Sequence, residues 1–334
     1  MGYKIGSFNM RNIGYAALGE DNPRDLKTIA SIIRNEKFDV VALQEVLSEG
    51  KAFYSHDGFQ KTVLMELGLD WDFKWADAEF GSDSRGEGFA FLWNTKRLRL
   101  STTKLLDGSI RTFNPRMYKE SREGINRKPF YARFTPEGMA GGSYFEIRLI
   151  CVHTYYGKDD PSSRAIRKAE MDTLLKNVYP QIADRIYSQN LPSYTILLGD
   201  YNMELWRPWK EGLPRKSRPA YLPDTVSTDS KWWVDGKEEY ERKIVTVQDQ
   251  FTTLKSKEEE DESKGGNRGY AHDYDHFSYE IDRFDGIKLT AQRIDAVRKY
   301  CNDDYTKYKK TISDHVPIVM SIEINNMYGL GDEV

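Results

Sequence analysis

A chain of 334 residues in which 49 lysines and arginines face 52 aspartates and glutamates carries a formal charge of -3, which excludes indiscriminate binding to polyanions and confines any nucleic-acid surface to a local patch. Hydrophobic residues at 39% and aromatics at 13% suffice for a large core, and two cysteines, Cys151 and Cys301, are too few for a disulfide framework. With no secretory pattern at the amino terminus and no apolar stretch of membrane-spanning length, the expectation is a soluble monomer without a membrane partner, in a reducing, cytoplasmic compartment.

Residues 4–8 read as a strand that ends at Asn9. Asn22 and Pro23 suit the N-cap and first position of a helix whose apolar residues Leu26, Ile29, Ile32 and Ile33 recur at helical spacing up to Lys37. Residues 38–43 form a second strand, ending at Gln44 and Glu45, and residues 59–69 a second helix. Glu87 opens the apolar run 89–93, and Arg127 precedes the alternation 130–134. The run 147–152 leads into His153, with Cys151 read as a small buried apolar side chain. An amphipathic helix is expected from Ser162 towards Tyr187, kinked or split at Pro180.

The short apolar run 194–198 delivers Gly199-Asp200-Tyr201-Asn202. Asp275 stands in a short aromatic strand beside His276, an extra histidine read as a surface group or a support behind the site. Ser313, Asp314 and His315 precede a last apolar run, 316–322. Two stretches look inserted. Residues 205–243 are rich in tryptophan, proline and basic side chains, and their tryptophans either anchor a long loop or stack on bases. Residues 255–269 hold almost nothing apolar and read as a mobile loop. The resulting expectation is one domain over 1–325 carrying these insertions, followed by a tail, 326–334.

Singly these motifs are weak, because Gly-Asp is an ordinary turn and Asp-His an ordinary loop dipeptide. Together they place polar groups at six strand ends, and functional sites on rigid sheets are commonly built this way. In the order Ser7-Phe8-Asn9, Leu43-Gln44-Glu45, Gly199-Asp200-Tyr201-Asn202, Tyr274-Asp275 and Ser313-Asp314-His315, nearly the whole chain resembles the endonuclease/exonuclease/phosphatase superfamily, in its deoxyribonuclease I-like branch. The resemblance implies an α/β (α+β) fold, a four-layer αββα sandwich of two mainly antiparallel sheets flanked by helices. It also implies a metal-dependent phosphodiesterase, specifically a DNA endonuclease leaving 5′-phosphate ends. A phosphoesterase for lipid or small-molecule phosphates would share almost every residue, and an inactive nucleic-acid-binding scaffold is a third reading.

By the same resemblance Glu45 binds the metal, while Asn9 and Asp314 complete or support the site; Asn9 could equally cap the loop behind it. Oxygen donors select a hard cation, so magnesium is expected, with manganese or calcium as substitutes. Asp200 orients or deprotonates the attacking water and touches a second metal, and Asn202 holds the phosphate. In an extended segment these two would project to the same side, whereas a turn would part them. The resemblance pairs His153 with Glu87 and His315 with Asp275, each carboxylate tuning an imidazole for proton transfer near neutral pH. His153 is read as the acid and His315 as the group on the attacking side, with the roles exchangeable. Arg127 is the phosphate-contacting arginine in a segment, 111–128, that holds six basic residues against two acidic ones, either a phosphate-backbone footprint or a solvated loop. Arg85 joins the phosphate contacts where deoxyribonuclease I has a tyrosine.

Overall fold

Along the strand Val40–Leu47 side chains alternate between two separate apolar cores, Val40 and Ala42 facing one, Val41 and Leu43 the other. A run that is apolar at every position is what a strand covered on both faces requires. That arrangement governs the whole computed structural model, which describes residues 2–13, 24–47, 59–77, 87–119, 124–137, 145–158, 160–187, 191–204, 230–234, 237–248, 250–255 and 269–324.

Two large sheets pack face to face, each with one parallel pair among otherwise antiparallel neighbours. The first sheet comprises β1 (Gly2–Ile13), β2 (Val40–Leu47), β3 (Trp71–Asp77), β4 (Glu87–Asn94), β16 (Lys288–Arg293) and β17 (Ile318–Glu323), in the order β16-β17-β1-β2-β4-β3. The second comprises β5 (Leu98–Leu100), β8 (Arg116–Met117), β9 (Phe130–Pro136), β10 (Glu146–His153), β11 (Ser193–Asp200), β14 (Ile244–Val247) and β15 (Asp275–Glu280), in the order β14-β15-β11-β10-β9-β5, with β8 also on β9. Two hairpins stand apart, β6 (Thr102–Lys104) with β7 (Ile110–Thr112), and β12 (Ser230–Val234) with β13 (Lys237–Arg242).

Between the sheets lies an aromatic-rich core in which Phe91 stacks on Phe130 with ring centres 5.0 Å apart. Outside the first sheet, α1 (Leu26–Asn35), α2 (Phe59–Leu67), α5 (Ala296–Cys301) and α6 (Tyr305–Thr311) cover a second core. Outside the second sheet, α3 (Pro161–Thr173) and α4 (Tyr179–Ala183) cover a third. Helix, sheet, sheet, helix is the expected four-layer order. No helix among the described residues is long and apolar enough to cross a membrane.

The helices depart from the expected boundaries for identifiable reasons. α1 starts at Leu26 because the Asp25 carboxylate accepts the Thr28 N–H, while Asn22 and Pro23 lie outside the described residues. The predicted helix over 162–187 begins at Pro161 behind the cap Asp160, then widens into a π-helical turn, Leu174–Val178, in which the Tyr179 N–H reaches the Leu174 carbonyl. Pro180 has no N–H for a regular α-turn and its ring crowds the carbonyl four residues back, so the helix is split just where it was expected to yield. It ends at Ala183, where the buried Arg148 guanidinium takes the Ile182 and Ala183 carbonyls. Of the two insertions, 205–229, with Trp206 and Trp209, and 256–268 lie outside the described residues.

Where β10 and β11 run parallel, Val152 pairs with Gly199, whose φ is +144°. A Cβ at Gly199 would stand 1.9 Å from the Val152 carbonyl oxygen, so only glycine permits this register. Gly199→Ala should therefore lower stability by about 3 kcal/mol or more in urea denaturation. An unchanged midpoint would show that the strand pair can shift at no cost.

Candidate active site

The inter-sheet face continues past its apolar residues into the site. Tyr3 and Ile5 point between the sheets, and the same alternation carries Ser7 and Asn9 inward; in the same way Trp93, Phe91 and Phe89 lead to Glu87. Ile147, Leu149 and Cys151 lead to His153; Tyr194, Ile196 and Leu198 lead to Asp200; Tyr279 and Phe277 lead to Asp275. His153, Asp200 and Asp275 are register partners across three adjacent strands. Beneath them is a polar layer in which Gln44 Nε2 donates to Ser7 Oγ and to Cys151 Sγ, each at 3.1 Å. Burial pushes the Cys151 thiol up to about 12, so it packs as the small apolar residue expected.

Glu45 is the exception to this parity. Val40, Ala42 and Gln44 fix the inward face of β2, so residue 45 should point away from the site. A bulge between Leu43 and Val46 and a left-handed backbone at Glu45, φ +55°, turn its carboxylate inward instead. Asn9 Nδ2 then donates to Glu45 Oε1 and to Asp200 Oδ2, both at 2.9 Å, while its Oδ1 accepts the Arg11 N–H. Asn9 thus caps its loop and positions two carboxylates, with its amide oxygen already engaged. Asp314 joins neither carboxylate cluster and faces Arg11 Nε at 3.6 Å.

The structure brings both predicted histidine pairs together, His315 and Asp275 at hydrogen-bond distance and His153 and Glu87 as an ion-pair contact without a hydrogen bond. His315 Nδ1 lies 2.8 Å from Asp275 Oδ2, and its Nε2 faces Asp200 Oδ2 at 3.6 Å. His153 Nδ1 lies 3.3 Å from Glu87 Oε2, and its Nε2 faces the same Asp200 oxygen at 3.7 Å. Burial pushes the His315 ring down, but the carboxylates of Asp275 and Asp200 outweigh it and hold the imidazole well above the ordinary histidine value. For His153, burial and Arg127 act downward, and Glu87, Asp200 and Glu45 prevail to raise it. Burial also raises Glu45 and Asp200, in both cases against the neighbouring imidazoles. Glu87 goes the other way, because His153 and Arg127 together outweigh its desolvation.

Arg127 is spent within the protein. Its Nη2 sits 2.7 Å from Glu87 Oε2 and its Nη1 donates to the Thr154 carbonyl at 3.0 Å. Asn202 follows Asp200 through a tight turn, φ +48°, in which its N–H is accepted by Asp200 Oδ1; the extended, same-side arrangement is therefore not formed. Its Nδ2 donates to the Thr154 carbonyl at 2.9 Å, with one amide hydrogen remaining. His276 is neither at the surface nor in the site: fully buried, it spans the Gln248 and Met203 carbonyls, 2.8 Å from each. Arg85 and Arg122 lie outside the described residues. Two hydroxyls support the site: Ser313, from the Ser313-Asp314-His315 motif, accepts the His315 N–H at its Oγ, and Thr252, which had no sequence signal, accepts the Asp275 N–H at its Oγ1.

Among the described residues, two sets of side chains could hold a metal ion. Glu45, His153 and Asp200 each offer one ligand atom, as do Asp200, Asp275 and His315, and within each set those atoms lie within 4.8 Å of one another. The donors fit a divalent cation, since the half-buried Glu45 and the buried Asp200 are carboxylates bridged by one amide and raised by desolvation, a charge pair that a cation would offset.

The profile of the Endonuclease/Exonuclease/phosphatase family matches residues 6–315. Among solved structures, ANGEL2, a 2′,3′-cyclic phosphatase, in complex with adenosine-2′,3′-vanadate superposes with a TM-score of 0.55 at 16% identity, covering 96% of this chain and 95% of that one. A Bacteroides thetaiotaomicron protein of the same family gives 0.52 at 12% identity over 97% and 98% of the two chains. The Bacteroides thetaiotaomicron mannosyl-6-phosphatase Bt3783 gives 0.52 at 13% identity, over 96% and 100%. At these identities the structures share the fold. No curated protein sequence matches the chain.

The charge on His315 can be read out through stability. A histidine raised in the folded state adds stability that is fully present below the unfolded value of about 6.5 and is lost as pH rises through the folded value. In excess chelator, the stability gap between the natural chain and His315→Gln should be widest at mildly acidic pH and narrow steadily above neutrality. A gap that is constant or widens with pH would contradict the charged pair.

Proposed function

The chain is a phosphoesterase of the Endonuclease/Exonuclease/phosphatase family, and from that premise we propose that it is a magnesium-dependent phosphodiesterase that cuts DNA and leaves 5′-phosphate ends. The observation that carries this reading is the convergence of both imidazoles on one carboxylate oxygen, with Asp200 Oδ2 facing His153 Nε2 at 3.7 Å and His315 Nε2 at 3.6 Å. A phosphate group resting against this cluster would meet an imidazole on either side and a carboxylate base between them.

The roles follow from the electrostatics. Asp200, made more basic by burial, takes the proton from the attacking water as oxygen bonds to phosphorus. His315, kept charged by Asp275, donates Nε2–H to a phosphoryl oxygen and offsets its growing charge. His153, held through Nδ1 by Glu87, gives the Nε2 proton to the leaving 3′-oxygen as its bond to phosphorus breaks. The remaining amide hydrogen of Asn202 steadies the phosphate. A magnesium ion held by Glu45 and Asp200 would withdraw charge from the phosphoryl oxygens and favour ionisation of the water.

A second reading, hydrolysis of a small soluble phosphate ester, is favoured by one specific observation. Arg127, the basic residue nearest the site, is occupied by Glu87, and Arg116 lies over the Phe113 ring, so part of the basic segment is committed within the protein.

Plasmid DNA should be nicked in magnesium and left intact in excess chelator, and Glu45→Gln should weaken the magnesium dependence while leaving the melting temperature near that of the natural chain. His153→Ala should lose about 10²- to 10⁴-fold in turnover. Cleavage persisting in chelator would remove the metal from the mechanism. If sugar or inositol phosphates turned over readily while plasmid stayed intact, the second reading would take first place.

A further inference from the structure

The groups that grip the phosphate say nothing about what the phosphate joins. Beside them lies a pair of rings with no part in the chemistry so far described. His272 and Tyr274 stack face to face, with ring centres 4.7 Å apart and planes 4° from parallel. They precede Asp275 in the chain, two positions apart, and the stack places both rings on one side of it. His272 keeps 48% of its side chain exposed, and its Nδ1 is fixed by Glu204 Oε1 at 2.7 Å. Glu204 in turn follows Asn202 by two residues. Both partners are therefore rooted in the turns that carry the site.

The backbone beneath the rings is rigidly held. Thr253 Oγ1 accepts the His272 N–H at 2.9 Å, and the His272 carbonyl accepts the N–H groups of Thr252 and Thr253. Thr252 Oγ1 accepts the Tyr274 N–H, and the Tyr274 carbonyl accepts the Tyr201 N–H at 2.8 Å, inside the Asp200–Asn202 turn. A surface ring normally retains rotamer freedom that must be given up on binding; this one is fixed in advance by a carboxylate and by its stacking partner. The half-exposed imidazole is thus a flat, polarizable ring held three residues before Asp275 in the chain.

Resting on the nuclease reading above, we infer that the His272–Tyr274 pair is a base-stacking subsite, on which a nucleobase next to the cleaved phosphate extends the two-ring stack. Stacking on a ring tolerates any base, since each has a π-face, so the subsite selects nucleic acid over sugar phosphates without selecting sequence.

The test compares a single-stranded oligothymidylate with a fully abasic oligomer of equal length, identical in sugar and phosphate, hydrolysed in magnesium by the full chain. The expected KM for the base-bearing oligomer is lower by about tenfold or more, with similar kcat. His272→Ala should raise that KM to the abasic value and leave kcat and the abasic kinetics unchanged. His272→Phe, which keeps a ring without the Glu204 bond, should restore most of the difference. Equal KM values in the natural chain, or a base preference that survives His272→Ala, would overturn the subsite while leaving the nuclease reading intact. Failure to cleave either oligomer, with a soluble phosphate ester turned over, would overturn the nuclease reading and the subsite together.

Discussion

The face between the two sheets is the constraint on which the site depends. Because side chains alternate along a strand, the inward positions that pack Phe91, Leu149, Ile196 and Phe277 into a dry core fix, two residues at a time, which side chains emerge at the strand ends. Glu87, His153, Asp200 and Asp275 are the next inward positions on four strands. A one-residue slip of β10 against β11 would bring Val152, not His153, opposite Asp200, and the glycine at 199 fits the observed register because a Cβ there would meet the Val152 carbonyl. Core packing and catalytic geometry are set by the same register.

Converging so many inward positions has an electrostatic cost. Glu45, Glu87, Asp200 and Asp275 are gathered, and among the described residues Arg127 is the permanently charged cation in direct contact with them, so this part of the cluster is short of positive charge. Unpaired buried charge is expensive, and the cost is spread by shifting protons: both imidazoles gain affinity for theirs, and Glu45 and Asp200 are driven towards their neutral forms. The resulting pattern, basic carboxylates beside retained imidazolium, is what hydrolysis of an anionic ester needs. It arises from burial and crowding before any substrate arrives.

This division explains what was legible in the sequence. Strand ends are legible because doubly covered strands are largely apolar, and the polar residue that stops such a run is conspicuous; Asn9, His153 and Asp200 stand out on that signal together with the family resemblance, whereas Asp275 opens its strand and rests on the resemblance. Features set by tertiary contact could not be read so. The helix ends at Ala183 because an arginine from β10 takes its last carbonyls, and Arg127 turns to a glutamate 40 positions earlier in the chain, far from any local pattern. The Asp200–Asn202 spacing suits a strand as well as a turn, and only the left-handed conformation at Asn202 decides between them.

Backbone strain completes the account. Three of the non-glycine residues with positive φ, Lys37, Asn302 and Asp303, follow helix ends, where such a conformation is ordinary. Arg11, Asn12, Glu45 and Asn202 instead surround the site, and each costs of order 1–3 kcal/mol unless the surroundings hold it. What holds them is the site's own polar groups. The Arg11 N–H goes to Asn9 Oδ1, the Asn12 N–H to Glu45 Oε2, and the Asn202 N–H to Asp200 Oδ1. Each acceptor is therefore aimed by the loop it restrains: a carboxylate that swung away would release a strained residue, and a loop that relaxed would free a carboxylate. Glu45 shows why the strain is kept, since its left-handed turn is what brings an outward position of β2 round to face His153 and Asp200.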